Sequence, residues 1–391
     1  MKALSSSARL VLASAPAILT FTASTPAAAD NAVAWSVAYT ADVFAGASDD
    51  VSTRGRFLDN LDVMADVDLA RAFGWQGMTL HAHVLNNSGS ALNDDLGTLQ
   101  GADNIEVSRQ RLRLFELWAE KAWDGGSVRA GLYDLNSEFY ANDSAGLLIA
   151  PAFGIGSELA ATGPNGPSIF PSTALAVRGH FDLGAESSVS VAVLNAHAGV
   201  IGDPGSVDIE FDDGALIIGE YSWTGGVHLG VGAWGYTDQQ DDVRETDAFG
   251  APVSRNAYGF YATAERELWS NATGFARVGV SDGDTTPYAG GWQAGLLFDE
   301  VLSARPSSQI SFGAYQGALS DKYRANEFDG GVSVARAETG FELTYSDQLT
   351  PWLRVQPDVQ LILDPGGDRD RDNLFVFGLR FEVTPFAERG A

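Results

Sequence analysis

Apolar and polar positions alternate with a period of two through most of this chain, in segments of about ten residues separated by turn-formers, which predicts β-strands rather than helices. The clearest segment is WLRVQPDVQLIL at 352–363, where Leu353, Val355, Pro357, Val359, Leu361 and Leu363 share one face. Trp352, Arg354, Gln356, Asp358, Gln360 and Ile362 share the other. At 60–69, Leu61, Val63, Ala65, Val67 and Leu69 oppose Asn60, Asp62, Met64, Asp66 and Asp68. At 338–346, Phe341, Leu343 and Tyr345 oppose Glu338, Glu342 and Thr344. Charges in mid-strand, always away from the apolar face, fit a barrel with lipid outside and water inside.

About sixteen such segments are predicted, near 33–45, 57–70, 77–86, 111–123, 126–134, 173–182, 187–197, 209–224, 226–238, 256–269, 272–282, 289–300, 308–319, 337–346, 351–363 and 373–384. Their connections alternate in length. Long ones fall at 46–56, 87–110, 135–172, 198–208, 239–255, 320–336 and 364–372. Short ones fall at 71–76, 124–125, 183–186, 225, 270–271, 301–307 and 347–350, and only 283–288 is short where a long one is due. Short turns on one side and long loops on the other, with an even strand number, predict an all-β, transmembrane antiparallel β-barrel with short periplasmic turns and long extracellular loops. Trp75, Trp118, Trp123, Trp223, Trp234, Trp269, Trp292 and Trp352 near segment ends would form aromatic girdles. The last segment is aromatic on one face and ends on Phe386, followed by AERGA.

The first residues change the domain picture. Lys2 and Arg9 precede an apolar stretch from Leu10 to Phe21, and Ala27-Ala28-Ala29 follows, the layout of a secretory signal cleaved before Asp30. Residues 1–29 are read as that signal and 30–391 as one barrel domain. Removing Lys2 and Arg9 takes the formal charge from −27 to −29, which excludes a nucleic-acid partner. There is no cysteine, so no disulfide framework holds the strands.

Candidate chemistry is sparse. Of His81, His83, His180, His197 and His228, the pair His81-Ala-His83 puts two imidazoles on one strand face, but no nearby cysteine or third histidine completes a metal site and the pair reads as lumen-facing. Asp364, Asp368, Asp370 and Asp372 in DPGGDRDRDN have a spacing that suits Ca²⁺, but Arg369 and Arg371 among them favour a solvated loop. GVHLGVGAWG at 226–235 lacks the lysine of a phosphate loop, and no G-x-S-x-G occurs. No enzyme chemistry, cofactor or metal is therefore assigned.

The stretch GLYDLNSEFYANDSAG at 131–146 resembles the G-x-x-D-x-N-x-x-F signature of the carbohydrate-selective porins of the OprB family. PSIFPSTALAVRG at 167–179, YGFYATAERELW at 258–269 and FARVGVSDGD at 275–284 follow in that family's order. ETGFELTYSDQLTPWLRVQPDVQLILDPGG at 338–367 and the closing NLFVFGLRFEV resemble its most distinctive segments. The resemblance spans essentially the whole chain after residue 29. It implies a sixteen-stranded porin of the bacterial outer membrane, surrounded by lipid and lipopolysaccharide, through which monosaccharides such as glucose diffuse passively. Monomer and homotrimer stay open, as do a general or ion-biased pore and an outer-membrane enzyme or adhesin.

Strand parity nominates the lumen lining: Glu116, Trp118 and Glu120, then Arg129 and Tyr133, Arg178, Arg277, Arg354 with Gln356, Asp358 and Gln360, and Arg380. Guanidinium forks and carboxylates can engage paired sugar hydroxyls, and aromatic faces can cover pyranose C–H groups. The connection at 135–172 is far longer than the usual roughly 4–6 residues and is the third on the extracellular side. It is expected to fold inward and narrow the channel, which adds Asp134, Asn136, Glu138, Phe139 and Tyr140, facing arginines of the opposite wall.

Overall fold

The computed structural model describes residues 32–49, 55–108, 110–203 and 205–385. The expected leader and the terminal Phe386 lie outside the described residues. Eighteen strands follow in order: β1 (Val33–Ala47), β2 (Arg56–Asp68), β3 (Met78–Gly89), β4 (Arg111–Trp123), β5 (Gly126–Tyr133), β6 (Ala174–Asp182), β7 (Ser187–Asn195), β8 (Ala215–Trp223), β9 (His228–Tyr236), β10 (Gln240–Thr246), β11 (Pro252–Arg255), β12 (Tyr258–Trp269), β13 (Ala272–Ser281), β14 (Tyr288–Asp299), β15 (Gln309–Leu319), β16 (Ala337–Thr350), β17 (Leu353–Leu363) and β18 (Leu374–Val383). All but β10 and β11 pair antiparallel with their neighbours, and β1 pairs with β18 to close a sixteen-stranded barrel. The seam is in register, with Asp42 opposite Arg380.

The barrel is inside-out relative to a water-soluble fold. Val177, Val231, Phe260, Val278, Leu343 and Phe377 on the outer face are each more than half exposed. Their inward neighbours, such as Arg178, Arg277, Glu342 and Gln360, are buried. An apolar band of this extent far exceeds the few hundred Å² that a soluble monomer exposes, and lipid is the solvent that tolerates it. Trp75, Trp123, Trp269 and Trp352 are about half exposed at the short-turn ends. Trp118 turns into the lumen, as strand parity expects, and Trp234 departs from the expected girdle and is buried among the inner-wall residues.

Sequence and structure differ at four further places. Residues 209–214 do not extend β8: Asp212, Asp213 and Gly214, the last at a positive φ of 78°, break the strand. The connection at 239–255 carries its own two-stranded ribbon, β10–β11, whose turn is held by the Asp247 carboxylate accepting from the Phe249 and Ala251 amides. Leu69, expected on the lipid face, opens a short helix (Leu69–Phe73) capped by Asp68 and is buried. Trp352, expected on the lumen face, lies in the turn between β16 and β17.

Two long connections fold into the barrel, where the sequence suggests only one. Residues 134–173 form three short 3₁₀ turns and a one-turn helix (Ser157–Ala160), and their Leu135, Phe139, Ile155 and Leu159 pack on the inward Leu194, Leu216, Ile218 and Trp234. Residues 90–108 place Leu92, Leu96, Ala102 and Ile105 against Phe44, Ile362, Leu374 and Val376. Both segments therefore hold their place by burying apolar side chains on apolar patches of the inner wall.

Candidate functional site

The second inward segment covers the wall built by β16, β17, β18 and β1. Glu338 accepts from the Leu99 and Gln100 amides at 2.8 and 2.9 Å, and Gln360 donates to the Ala102 carbonyl at 2.8 Å. Arg380 donates to both oxygens of Asp42 and to Asn104 Oδ1. Besides packing on β7 to β9, the other inward segment, residues 134–173 (the third extracellular loop), is tied to β12, β13, β16 and β17. Glu342 takes the Ile149 and Ala150 amides, and Gln356 donates to the Leu147 carbonyl. Arg277 donates to the carbonyls of Tyr140, Ala152, Phe153 and Gly154.

Several expected pore-lining residues are thereby reassigned. Arg277, Gln356, Gln360 and Arg380 sit on the inner wall as parity predicts, but they hold inward loops rather than face open lumen. Asp358 is buried beside Gln360, which donates to it at 3.0 Å. Arg354 lies nearer the turn end of β17, donating to Ser346 and Gln309. Phe139 is fully buried in the loop's own core, and Asn136 donates to the Phe139 and Gly154 carbonyls within the loop. Tyr140, at a φ of 55°, stacks on Tyr261 with ring centroids 4.1 Å apart and donates to Glu158. These residues build the loop, because a folded loop must satisfy its backbone and bury its apolar side chains before it can present anything to solute.

On β4, β5 and β6 several of the expected residues converge with Glu138 of the loop. Arg178 donates to both oxygens of Glu138, to Glu120 Oε2 and to Ser127 Oγ, at 2.6–2.7 Å. Arg129 donates to Glu120 at 3.1 Å and lies 3.4 Å from Glu138. Tyr133 donates to Glu138 at 2.6 Å. Glu120 and Glu138 keep 21% and 29% of their side-chain surface open, whereas Glu338 and Gln360 keep none, so the reachable lumen runs along this wall. Burial alone would raise the Glu138 carboxyl, but Arg129 and Arg178 beside it outweigh that and hold it below its usual range. Of the expected loop residues, Glu138 meets Arg129 and Arg178 of the adjacent wall, and Tyr140 meets Arg277 of β13 through its carbonyl and ring face.

Trp118 is not a free stacking platform. The Arg129 guanidinium lies 3.8 Å from its ring centroid on one face, and His81 stacks at 4.8 Å. Its Nε1 donates to Glu116 Oε1, which also accepts the Asp134 amide, while Asp134 caps the first 3₁₀ turn through Asn136 N.

Arg113 escapes sequence parity. A bulge at Phe115 shifts the register between His83 and Val84, so that Arg113 before it and Glu116 after it both point inward. Arg113 donates to the Pro171 carbonyl at 2.9 Å, tying the far end of the third loop to β4. Residues 53–384 match the family model described as carbohydrate-selective porin, OprB family.

The chain belongs to the OprB family.

It is accordingly a porin of the bacterial outer membrane. Porin B of Pseudomonas aeruginosa is 22% identical over 387 residues, covering 87% of this chain and 84% of that protein. A putative porin, QuiX, of Acinetobacter baylyi is 21% identical, covering 83% and 82%. Pseudomonas putida OprB, solved at high pH, superposes with a TM-score of 0.78 at 22% identity, covering 90% of this chain and 94% of that one. That superposition supports the same closed barrel.

Proposed function

We propose that this OprB-family porin passes small neutral sugars, monosaccharides such as glucose, by passive diffusion through a lumen narrowed by residues 134–173, and that it performs no catalysis. The observation that carries this reading is the cluster of Arg129, Arg178, Glu120 and Glu138, in which Arg129, Glu120 and Glu138 keep 14%, 21% and 29% of their side-chain surface and Arg178 is buried behind them. Two guanidiniums and two carboxylates alternate there, so the site offers paired donors and acceptors without a net field. A neutral polyol satisfies such a set; an ion gains from one half and is repelled by the other. Since Trp118 already has Arg129 and His81 on its faces, recognition rests on hydroxyl hydrogen bonds rather than ring stacking. Binding must also stay weak, because a solute has to leave as readily as it arrives.

Residues 1–29 act in this reading as a leader removed on export. A homotrimer and a monomer are both compatible with this reading, and cross-linking in outer-membrane vesicles decides between them. Function is tested by planar-bilayer conductance with and without glucose, together with liposome swelling on glucose against an amino acid of equal size. Glucose should lower the current and enter faster than size alone allows. A pore blind to glucose but with a strong reversal potential in a salt gradient would make it an ion-biased channel instead.

A further inference from the structure

On β3, His81 and His83 point to the lumen side, and the β4 bulge brings Glu116 opposite them. Glu116 uses its two oxygens differently. Oε1 is taken by Trp118 Nε1 and the Asp134 amide, while Oε2 lies 3.8 Å from His81 Nε2 and 4.0 Å from His83 Nδ1. Those separations are too long for hydrogen bonds. They are roughly 0.5–0.7 Å wider than the roughly 3.3 Å between ligand atoms that metal–ligand bonds of about 2.0–2.1 Å give in a tetrahedron, and all three ligand atoms lie within 4.8 Å of one another.

The opposite nitrogens are occupied. His81 Nδ1 is 2.8 Å from Asp66 Oδ1 and His83 Nε2 is 2.9 Å from Asp62 Oδ1. In the tautomers whose N–H faces Asp66 and Asp62, the lone pairs of His81 Nε2 and His83 Nδ1 are directed at Glu116 Oε2. This is the outer shell that metal-ligating histidines use to fix tautomer and orientation. Asn60 in turn donates to Asp62 at 2.7 Å, Trp118 stacks on His81, and Phe115 meets His83 edge-on at 5.1 Å, so both rings are held from the side.

We propose that His81 Nε2, His83 Nδ1 and Glu116 Oε2 form a divalent transition-metal site on the inner wall, suited to Zn²⁺, with a fourth position open to water from the lumen. Among the described residues this is the one place where three or more such side chains converge their ligand atoms; the aspartates of 364–372 do not. His81 and Glu116 keep 11% and 12% of their side-chain surface, which supplies access, while His83 keeps 3%. Imidazole nitrogen with one carboxylate favours zinc over Mg²⁺ or Ca²⁺, which prefer all-oxygen shells. The site is independent of the sugar reading, since it is assayed without sugar.

The test uses the full barrel in detergent, first stripped with chelator, then titrated with zinc alone and with cobalt(II) as a spectroscopic probe. One ion per chain is expected to bind at micromolar free metal, with the intense visible absorption of a four- or five-coordinate cobalt site. His83→Gln and His81→Gln should each abolish it, and Glu116→Gln should weaken it about tenfold or more. His180→Gln, which alters another inner-wall imidazole bonded to Ser190, should leave it unchanged. Heat-modifiable gel migration confirms that each variant is a folded barrel. No saturable binding to the folded wild type, or binding that survives both His81→Gln and His83→Gln, overturns the assignment and leaves a histidine–carboxylate network only.

Discussion

Arg178 grips Glu138 with two hydrogen bonds of 2.7 Å, Nε to Oε2 and Nη2 to Oε1, and so fastens the start of the inward third loop to β6. The same guanidinium reaches Glu120 and Ser127, so it is shared between loop and wall. Charge-assisted bonds of this kind contribute about 1.5–3 kcal/mol each where water is scarce. Glu138 is partly solvated, so the lower end applies. Glu138→Ala and Arg178→Ala should each shorten glucose residence about tenfold, and the double variant should be little worse than either alone because the groups act as one unit. Glucose-induced current noise in single channels reads this; additive losses would separate the two residues.

Arg277 has a different task although parity places it on the same inner wall. Its guanidinium donates to four loop carbonyls, those of Tyr140, Ala152, Phe153 and Gly154, and among the described residues it makes no ion pair. Arg277→Ala removes those donors and strands the carbonyls, a loss of about 3 kcal/mol or more from the loop's docking. The barrel strands are untouched. Single-channel conductance should rise and glucose block should fall while the heat-modifiable migration of the folded barrel persists; an unchanged conductance would show that the loop keeps its place without this clamp.

Glu106 supplies a pH dependence outside the spanning strands. It accepts the Asn93 amide at 2.7 Å, and burial pushes its carboxyl from 4.5 up to about 7. A carboxyl raised in the folded state binds its proton more tightly there than in the open loop. Its stabilisation is therefore complete below pH 4.5 and is lost as pH rises through about 7. Amides of residues 92–97 should exchange more slowly at pH 5 than at pH 8 after correction for intrinsic rates, by up to roughly 3 kcal/mol in opening free energy. Glu106→Gln should remove most of that difference.

The strand pattern was legible because each wall residue meets lipid on one side and water or a loop on the other, and β16 with β17 up to Gln360 keeps that alternation, while Ile362, Leu374 and Val376 turn apolar side chains inward. It blurs where both faces are apolar. Leu216 and Ile218 point inward beneath the third loop while Ile217 faces lipid, so the run around β8 carries no period-two signal. The Phe115 bulge adds a residue that no count of parity anticipates, and it alone puts Arg113 and Glu116 on one face. The inward fold of residues 90–108 was also hidden. Its ties run from Gln100 to Glu338 and from Ala102 to Gln360, and pairings across such separations leave no local mark. Arg129, Arg178 and Glu120 were found because charges mid-strand in a barrel face the lumen, and Glu138 because the length of the 135–172 connection marked an inward loop.

Barrel closure yields the last prediction. Arg380 on β18 and Asp42 on β1 are register partners, and the guanidinium donates to both carboxylate oxygens at 2.6–3.1 Å. Asp42 is fully buried and Arg380 nearly so. Removing one member leaves the other as an uncompensated buried charge, a loss of about 3–5 kcal/mol, whereas replacing both with apolar side chains of similar volume is often neutral. Arg380 also donates to Asn104, so the pair anchors the second inward loop as well as the seam. Asp42→Ala should lower the denaturant midpoint of the barrel refolded in lipid vesicles well beyond Asp42→Leu combined with Arg380→Met. The double variant should nevertheless show altered conductance, since Asn104 loses its donor and residues 90–108 lose a tie to the wall. Equal midpoints for the single and double variants would mean that the seam is held by its strand pairing alone and that the ion pair serves only the loop.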